Sequence, residues 1–353
     1  MFDEIILIVL IIILIYVVYK TFVYSPKINI QNEERFEQEI ITKIPEEIKA
    51  LNIDNIINDN DKLNHMIEIM ENRYLRNNTL EEKFNKNLSD TQIFIINLPK
   101  SESRLRNIFR QKAFYDIKNL NVFEAVNGLS IKNKYNDSIQ HRNNIIHFKT
   151  NDYKANEKEI GCTLSHLILI HDFYRKYKTH MKIMSEKQMR NTFILICEDD
   201  VSFMLVPFWE NTLREITQKA NENWEYINLS GLCENDFKND FLKVTDNNCY
   251  GASSYIINLH GAKKIIDKLY DKDNNLYNLV ALNNYDRQLI IADVLLPDIC
   301  NSYMYRETLF VPINNHKDMN STIHPENTDF HINYTIGKIR PYYDKMVKKN
   351  ENN

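Results

Sequence analysis

The spacing of apolar residues divides the chain into three regimes. Ile5 to Val18 are almost wholly Ile, Leu and Val, and Tyr19 with Phe22-Val23-Tyr24 extends the run to about 20 residues. That is the length needed to cross ~30 Å of hydrocarbon, so residues 1–24 read as a transmembrane anchor. From Ser25 to Leu88 the chain is polar, with apolar residues at helical spacing (Ile53, Ile56, Ile57, then Leu63, Met66, Ile67, Met70). This predicts a helical stem over 25–88 that holds the following domain off the membrane, with an apolar stripe able to pair two copies. Beyond Asp90, short apolar runs alternate with helical patterns. Strands are expected at Ile93–Leu98, Val122–Val126, Thr192–Cys197, Trp224–Leu229 and Ser254–Asn258. Helices are expected at Ser101–Phe114 with Ser101 as N-cap, Cys162–Tyr174, Gly261–Leu269 and Asp286–Leu295. The alternation predicts an α/β domain over 89–345 with parallel strands and its chemistry at their C-terminal ends, followed by a disordered tail at 346–353.

The flanks of the apolar run favour an uncleaved anchor over a signal peptide. Asp3 and Glu4 stand where a signal peptide carries Lys or Arg, and no small-x-small cleavage site follows. Lys20 can snorkel to the interface and Tyr16, Tyr19 and Tyr24 suit an interfacial belt. Positive charge follows the run at Lys20 and Lys27, which by the positive-inside rule places the large C-terminal domain in the cytosol. Six Asn-x-Ser/Thr sequons, at Asn77, Asn87, Asn136, Asn228, Asn320 and Asn333, are expected by chance in so Asn-rich a chain and do not decide the side.

A net charge of −4 offers no basic face for nucleic acid. A phosphate-bearing substrate would therefore have to be held by a metal or by a few placed cations. The five cysteines form no CxxC pair, which argues against a structural zinc site and leaves room for at most a lone disulfide. The basic stretch Arg175–Arg190 reads as a solvated insertion loop, with an acidic-acceptor site as the sharper alternative.

The most informative segment is Phe193-Ile-Leu-Ile-Cys-Glu-Asp-Asp-Val201, a buried strand running into three carboxylates. If the chain stays extended, Glu198 and Asp200 project together and Asp199 points the other way. Two acids side by side make a hard-oxygen site for Mn²⁺ or Mg²⁺, and such an ion would neutralise charge building on a departing diphosphate. The bland alternative is a solvated acidic turn. Arg104 either reaches a nucleotide or lies on a helix surface. His166 is a ligand, a base or, more simply, a satisfied structural histidine. Asp286 either caps a helix or takes the proton from an acceptor hydroxyl.

Taken in order, these segments resemble glycosyltransferase family 25, the lipooligosaccharide and procollagen galactosyltransferases. Ile93–Leu98 with Arg104 resembles the opening "VINL…R" block, Ala125-Val-Asn-Gly128 the "A.nG" step, and Glu159-Ile-Gly-Cys-Thr-Leu-Ser-His166 the "GEiGC..SH" block. Leu195–Val201 resembles "ilEDDv", Tyr250–Asn258 with Gly261-Ala-Lys-Lys resembles "GtggYliSr.gAkkl", and Tyr285-Asp286 the later "vD". The resemblance spans Thr91 to Val311. It implies a GT-A type nucleotide-diphospho-sugar transferase fold with a mixed sheet and flanking helices. It also implies a UDP-sugar donor (galactose or glucose), Mn²⁺, and inverting transfer of the hexose to a hydroxyl on a glycan or protein. Carried over by position, Glu198 and Asp200 take the metal and diphosphate, Asp199 lies near the ribose or sugar, and Asn97 and Arg104 lie beside the nucleotide. Gly251 and Ser253 line the sugar and Asp286 serves the acceptor. Lys158 stands where the family has glycine, and Ala252-Ser253-Ser254 replaces small glycines, which bears on donor choice. An inactive homologue serving as a membrane-tethered carbohydrate-binding or scaffold module would keep the same blocks. A metal-dependent phosphoesterase would need further ligands at other strand ends.

Overall fold

The computed structural model describes residues 59–75, 78–88, 91–150, 155–230, 232–233, 239–244, 249–279, 290–312 and 328–351. The expected anchor, the first half of the stem and Asp286 lie outside them. Among the described residues no helix is long and apolar enough to cross a membrane.

Fifteen strands and nine helices alternate along the described chain. Helices α1 (Asp59–Leu75) and α2 (Asn78–Leu88) precede β1 (Gln92–Asn97), α3 (Glu102–Phe114) and β2 (Leu120–Glu124). The hairpin β3 (Asn136–His141) and β4 (Asn144–Thr150) leads to α4 (Glu157–Tyr177), α5 (Glu186–Asn191), β5 (Phe193–Glu198), β6 (Val201–Ser202) and α6 (Leu213–Lys219). Then come β7 (Tyr226–Asn228), β8 (Leu232–Cys233), β9 (Phe241–Lys243), β10 (Cys249–Tyr250), β11 (Ser254–Asn258) and α7 (Leu259–Leu269). The last elements are β12 (Tyr270–Asp271), β13 (Leu276–Leu279), α8 (Ala292–Ile299), β14 (Ser302–Tyr305), β15 (Val311–Pro312) and α9 (Thr328–Glu351).

The main sheet has seven strands in the order β2-β1-β5-β11-β7-β14-β9. β1 runs parallel to both β2 and β5, but β11 is antiparallel to both β5 and β7. The sheet is therefore mixed, as the family resemblance implies, although the alternation of strands and helices alone points to parallel strands. Strand parity assigns its two faces. Ile95, Leu195, Cys197, Ile227 and Ile256 face one core, while Ile96, Ile194, Ile196, Tyr255 and Ile257 face the other. Helices α1, α2, α3, α6 and α9 supply the first core, and α4, α7 and α8 the second, which gives three layers. A four-stranded sheet, β12-β13-β4-β3, borders the second core.

Two boundaries differ from the sequence reading. The segment read as stem is not free-standing over α1 and α2. Leu63, Met66, Met70, Tyr74, Phe84 and Leu88 are buried in the first core, and the Phe84 ring stacks on Tyr115 at 4.8 Å. The compact unit accordingly begins near Ile53. Within the described residues, the part of that stripe formed by Leu63, Met66, Ile67 and Met70 belongs to the domain's own interior, where α1 packs against α9 and the sheet. At the other end α9 continues to Glu351, so the expected disordered tail is helical over 346–351.

The helix α4 carries the Glu159–His166 block and shows why each residue type sits there. Asn156 caps it by accepting from the backbone of Lys158 and Glu159, and the Glu159 carboxylate accepts from the Asn156 N–H, closing a capping box. The Ser165 hydroxyl donates to the Gly161 carbonyl and accepts from the Val126 N–H at 2.8 Å, and Thr163 donates to the Ile290 carbonyl. Gly161 crosses Gly128 so closely that a Cβ on it would stand 2.7 Å from the Gly128 Cα and N. Backbone cannot yield as a side-chain tip can. Gly161→Ala should therefore lower the denaturant midpoint by the equivalent of about 1–3 kcal/mol with an unchanged slope. An unshifted midpoint would mean that α4 slides freely over the Gly128 turn.

Candidate active site

β5 delivers the acidic tip to the C-terminal edge of the sheet, and its parity decides where each carboxylate goes. Glu198 continues the face of Ile194 and Ile196 and so meets α4. Its Oε1 lies 3.4 Å from His166 Nε2 and 3.7 Å from Cys162 Sγ. Asp199 continues the opposite face and meets β1 and α3. It accepts from Asn97 Nδ2 at 2.7 Å and from Arg104 Nη1 at 2.5 Å. The strand ends at Glu198, and Asp199 and Asp200 occupy a turn. Alternation therefore does not extend to Asp200, and the acid pair expected from one strand face is not formed by it. Asp200 lies beside Arg104, with Oδ2 3.8 Å from Nη1.

The three acids are in unlike states. Burial raises the Glu198 pKa, but the hydrogen bond and charge of His166, helped by Arg104 and Cys162, bring it below the ordinary value. Burial raises Asp199 and outweighs the pull of Arg104 and Asn97. Burial also dominates at Asp200, where Glu198 and Asp199 add to it against Arg104, and its carboxyl is pushed up to about 7. Asp200 Oδ1 is buried and has no hydrogen-bond partner among the described residues. A buried carboxylate oxygen left without a protein donor has room for a cation. The Glu198 side chain, two residues earlier, is 30% exposed. Hard oxygen donors of this kind fit Mn²⁺ or Mg²⁺.

The loop before β11 borders this tip. The Ser253 carbonyl accepts from the Glu198 N–H at 2.8 Å, and the Ser253 hydroxyl donates to Ser230. Gly251 has φ 124°, which favours glycine, and its carbonyl accepts from Asn228 Nδ2. Asp293, near the start of α8, accepts from the Ala252 N–H. The structure thus brings Glu198, Asp199, Asp200, Asn97, Arg104 and Ser253 into one neighbourhood, with Gly251 on the adjoining loop. Asn97 and Arg104, expected beside a nucleotide, are buried and hold Asp199. Sequence reasoning passed over Cys162, Asn228, Ser230 and Asp293. Cys162 was legible in hindsight, because it stands four residues before His166 on one helix face.

Removing the cation of the Arg104–Asp199 pair would strand a buried carboxylate. Arg104→Met should cost about 3–5 kcal/mol in chemical denaturation, and adding Asp199→Asn should recover part of that loss. A loss below about 1 kcal/mol would show that the pair carries no such charge.

Residues 90–279, about half of the chain, match the family model described as "Glycosyltransferase family 25 (LPS biosynthesis protein)". The chain belongs to glycosyltransferase family 25. The mixed central sheet between helical layers fits a glycosyltransferase fold, and the family membership makes this chain a glycosyltransferase by class. The matched span holds the acidic tip, α4 and the Gly251–Ser253 loop. No curated protein matches the sequence.

Proposed function

We propose that this family 25 glycosyltransferase moves a hexose, galactose or glucose, from a UDP-sugar to a hydroxyl on a glycan or protein, with a divalent cation held by Glu198 and Asp200. The observation that carries the reading is the unpartnered buried Asp200 Oδ1, two residues after the partly exposed Glu198 that ends β5. Mn²⁺ or Mg²⁺ bound there would supply a Lewis acid that neutralises charge developing on the leaving diphosphate. The chain's own residues do the rest. Arg104 and Asn97 fix Asp199, and through it the turn that carries Asp200. Gly251 and Ser253 bound the sugar side. Asp286, outside the described residues, is the proposed base for an inverting attack.

The test is UDP release by the full-length protein across a panel of nucleotide sugars, with Mn²⁺, with Mg²⁺ and with chelator. A single UDP-hexose should be turned over with an added cation and not with chelator, and NMR of the product should show inverted anomeric configuration. Equal release with and without chelator, or release from no UDP-sugar, would refute the reading.

A further inference from the structure

We propose that Cys162, His166 and Glu198 form a second cation site, distinct in chemistry from the hard-oxygen site at Asp200, that takes a thiophilic divalent ion such as Zn²⁺. Their ligand atoms all lie within 4.8 Å of one another. Cys162 and His166 are four residues apart on α4 and point from one helix face at the carboxylate delivered by β5. A mixed sulfur, nitrogen and oxygen set of this kind suits zinc, whereas Mg²⁺ and Mn²⁺ prefer oxygen.

The distances support an ion between these groups. Zinc bonds of about 2.0–2.3 Å at tetrahedral angles set the ligand atoms about 3.4 Å apart for N and O, and about 3.6 Å for S and O. The observed separations are 3.4 Å from His166 Nε2 to Glu198 Oε1 and 3.7 Å from Cys162 Sγ to the same oxygen. As a direct hydrogen bond, 3.4 Å is long against the usual ~2.9 Å.

A second observation points the same way. His166 is fully buried, and its Nδ1 lies 2.9 Å from the Tyr255 hydroxyl, with the two rings stacked. Metal-binding histidines donate their second ring N–H to an oxygen; with Nδ1 donating to the Tyr255 oxygen, the ring is fixed and the Nε2 lone pair is left for the ion. Tyr255 is itself packed against Tyr226, so the ring cannot swing away. Three protein ligands with one side open through the exposed edge of Glu198 is the pattern of a site that keeps a position for water or substrate oxygen. Binding replaces the Cys162 S–H bond with a metal–sulfur bond and releases that proton to solvent.

The site shares Glu198 with the donor-side cation. Its occupation would therefore withdraw Glu198 from the diphosphate, so that zinc opposes Mn²⁺ in turnover. That consequence rests on the transferase reading above, but the binding itself does not.

The test uses full-length, metal-free protein and Co²⁺ as a spectroscopic probe. A single equivalent of Co²⁺ should produce a near-ultraviolet sulfur-to-cobalt charge-transfer band that Zn²⁺ bleaches. The band should vanish in Cys162→Ser, persist in Asp200→Asn, and require about 10–100-fold more Co²⁺ in Tyr255→Phe. No band at one equivalent, a band that survives Cys162→Ser, or a band lost in Asp200→Asn would overturn the proposal. Should Cys162→Ser fail to fold, Zn²⁺ must slow alkylation of Cys162 in the wild-type protein at least about tenfold, read by peptide mass spectrometry. Unchanged alkylation would equally overturn it. Absence of sugar transfer would leave all of these readouts intact, so failure of the two readings can be told apart.

Discussion

A chain that starts at residue 89 should not fold, whereas one that starts at Ile53 should. The sequence pattern alone would recommend the shorter version, because residues 25–88 look like a dispensable stem. The structure places six large apolar side chains of α1 and α2 inside the first core, among them Met66 at 0% and Leu63 and Phe84 at 1% exposure. Fully burying such a side chain stabilises by about 1.5–3 kcal/mol, and a whole domain is stable by only ~5–15 kcal/mol. Deletion also removes the cost of ordering those residues, but it bares the surface they covered. Tyr115 and Val206 would face water, and the Val206 carbonyl would lose the Asn87 side chain that donates to it at 2.7 Å. Exposed apolar area of that kind drives association. The expected result is inclusion bodies or aggregate for 89–353 and a soluble, cooperatively melting 53–353. Equal melting temperatures for the two would show that α1 and α2 only decorate the domain.

The second large effect is at Asp200, and it should separate activity from stability. Asp200→Asn keeps the shape of the side chain but removes the charge that would hold a cation. Loss of one preorganised electrostatic group of this kind costs about 10²–10³-fold in turnover. Stability of the metal-free protein should move the other way. The folded-state pKa of Asp200 is raised, so the protonated form is the one the fold favours. Its stabilising contribution is complete below the unfolded value near 3.8 and is lost as pH rises through about 7. At pH 8 the wild-type carboxylate is charged and strained by burial, and Asn there should raise the melting temperature. Near pH 4 the difference should close. An Asp200→Asn protein that keeps full turnover, or that melts lower at pH 8, would remove Asp200 from the proposed cation site.

Much of the fold was legible from apolar spacing. The expected strand Ser254–Asn258 matches β11 to the residue, and β1, β5, α3 and α7 are displaced from their expected bounds by only one or two positions. These are segments where one face or both are buried, so composition tracks structure closely. Helix α6, by contrast, has no counterpart in the expected elements. The direction of β11 was not legible. A fully buried strand reads alike in either orientation, and only its pairing with β5 and β7 fixes it. The stem was misjudged for a related reason. The stripe Leu63, Met66, Met70 records that α1 buries a face without recording what it buries it against.

At the site, the residue types were readable and their roles were not. Strand alternation correctly separates Glu198 from Asp199, but it fails one residue later because the turn at Asp199 and Asp200 cannot be seen in three consecutive acids. Arg104 and Asn97 looked like ligand-binding residues because they follow a strand in the expected place. Only the fold shows that Asp199 occupies both. The sequence allows His166 to be a ligand, a base or a satisfied structural residue, and its contacts with Tyr255 and Glu198 make it the bridge between the core and the acidic tip.

The interior placement of Asn87 and Asn228 bears on which compartment the domain occupies. Both belong to Asn-x-Ser sequons, yet each is at most 4% exposed and donates its side-chain amide to a carbonyl, of Val206 and Gly251 respectively. A folded domain cannot present either to an oligosaccharide-transferring enzyme. Asn136 on the outer strand β3 and Asn333 on α9 are exposed and can be presented. A mass increment at either position would mark a lumenal domain, and an unmodified Asn136 and Asn333 beside a modified control protein would agree with the cytosolic side that the lysines after the apolar run favour.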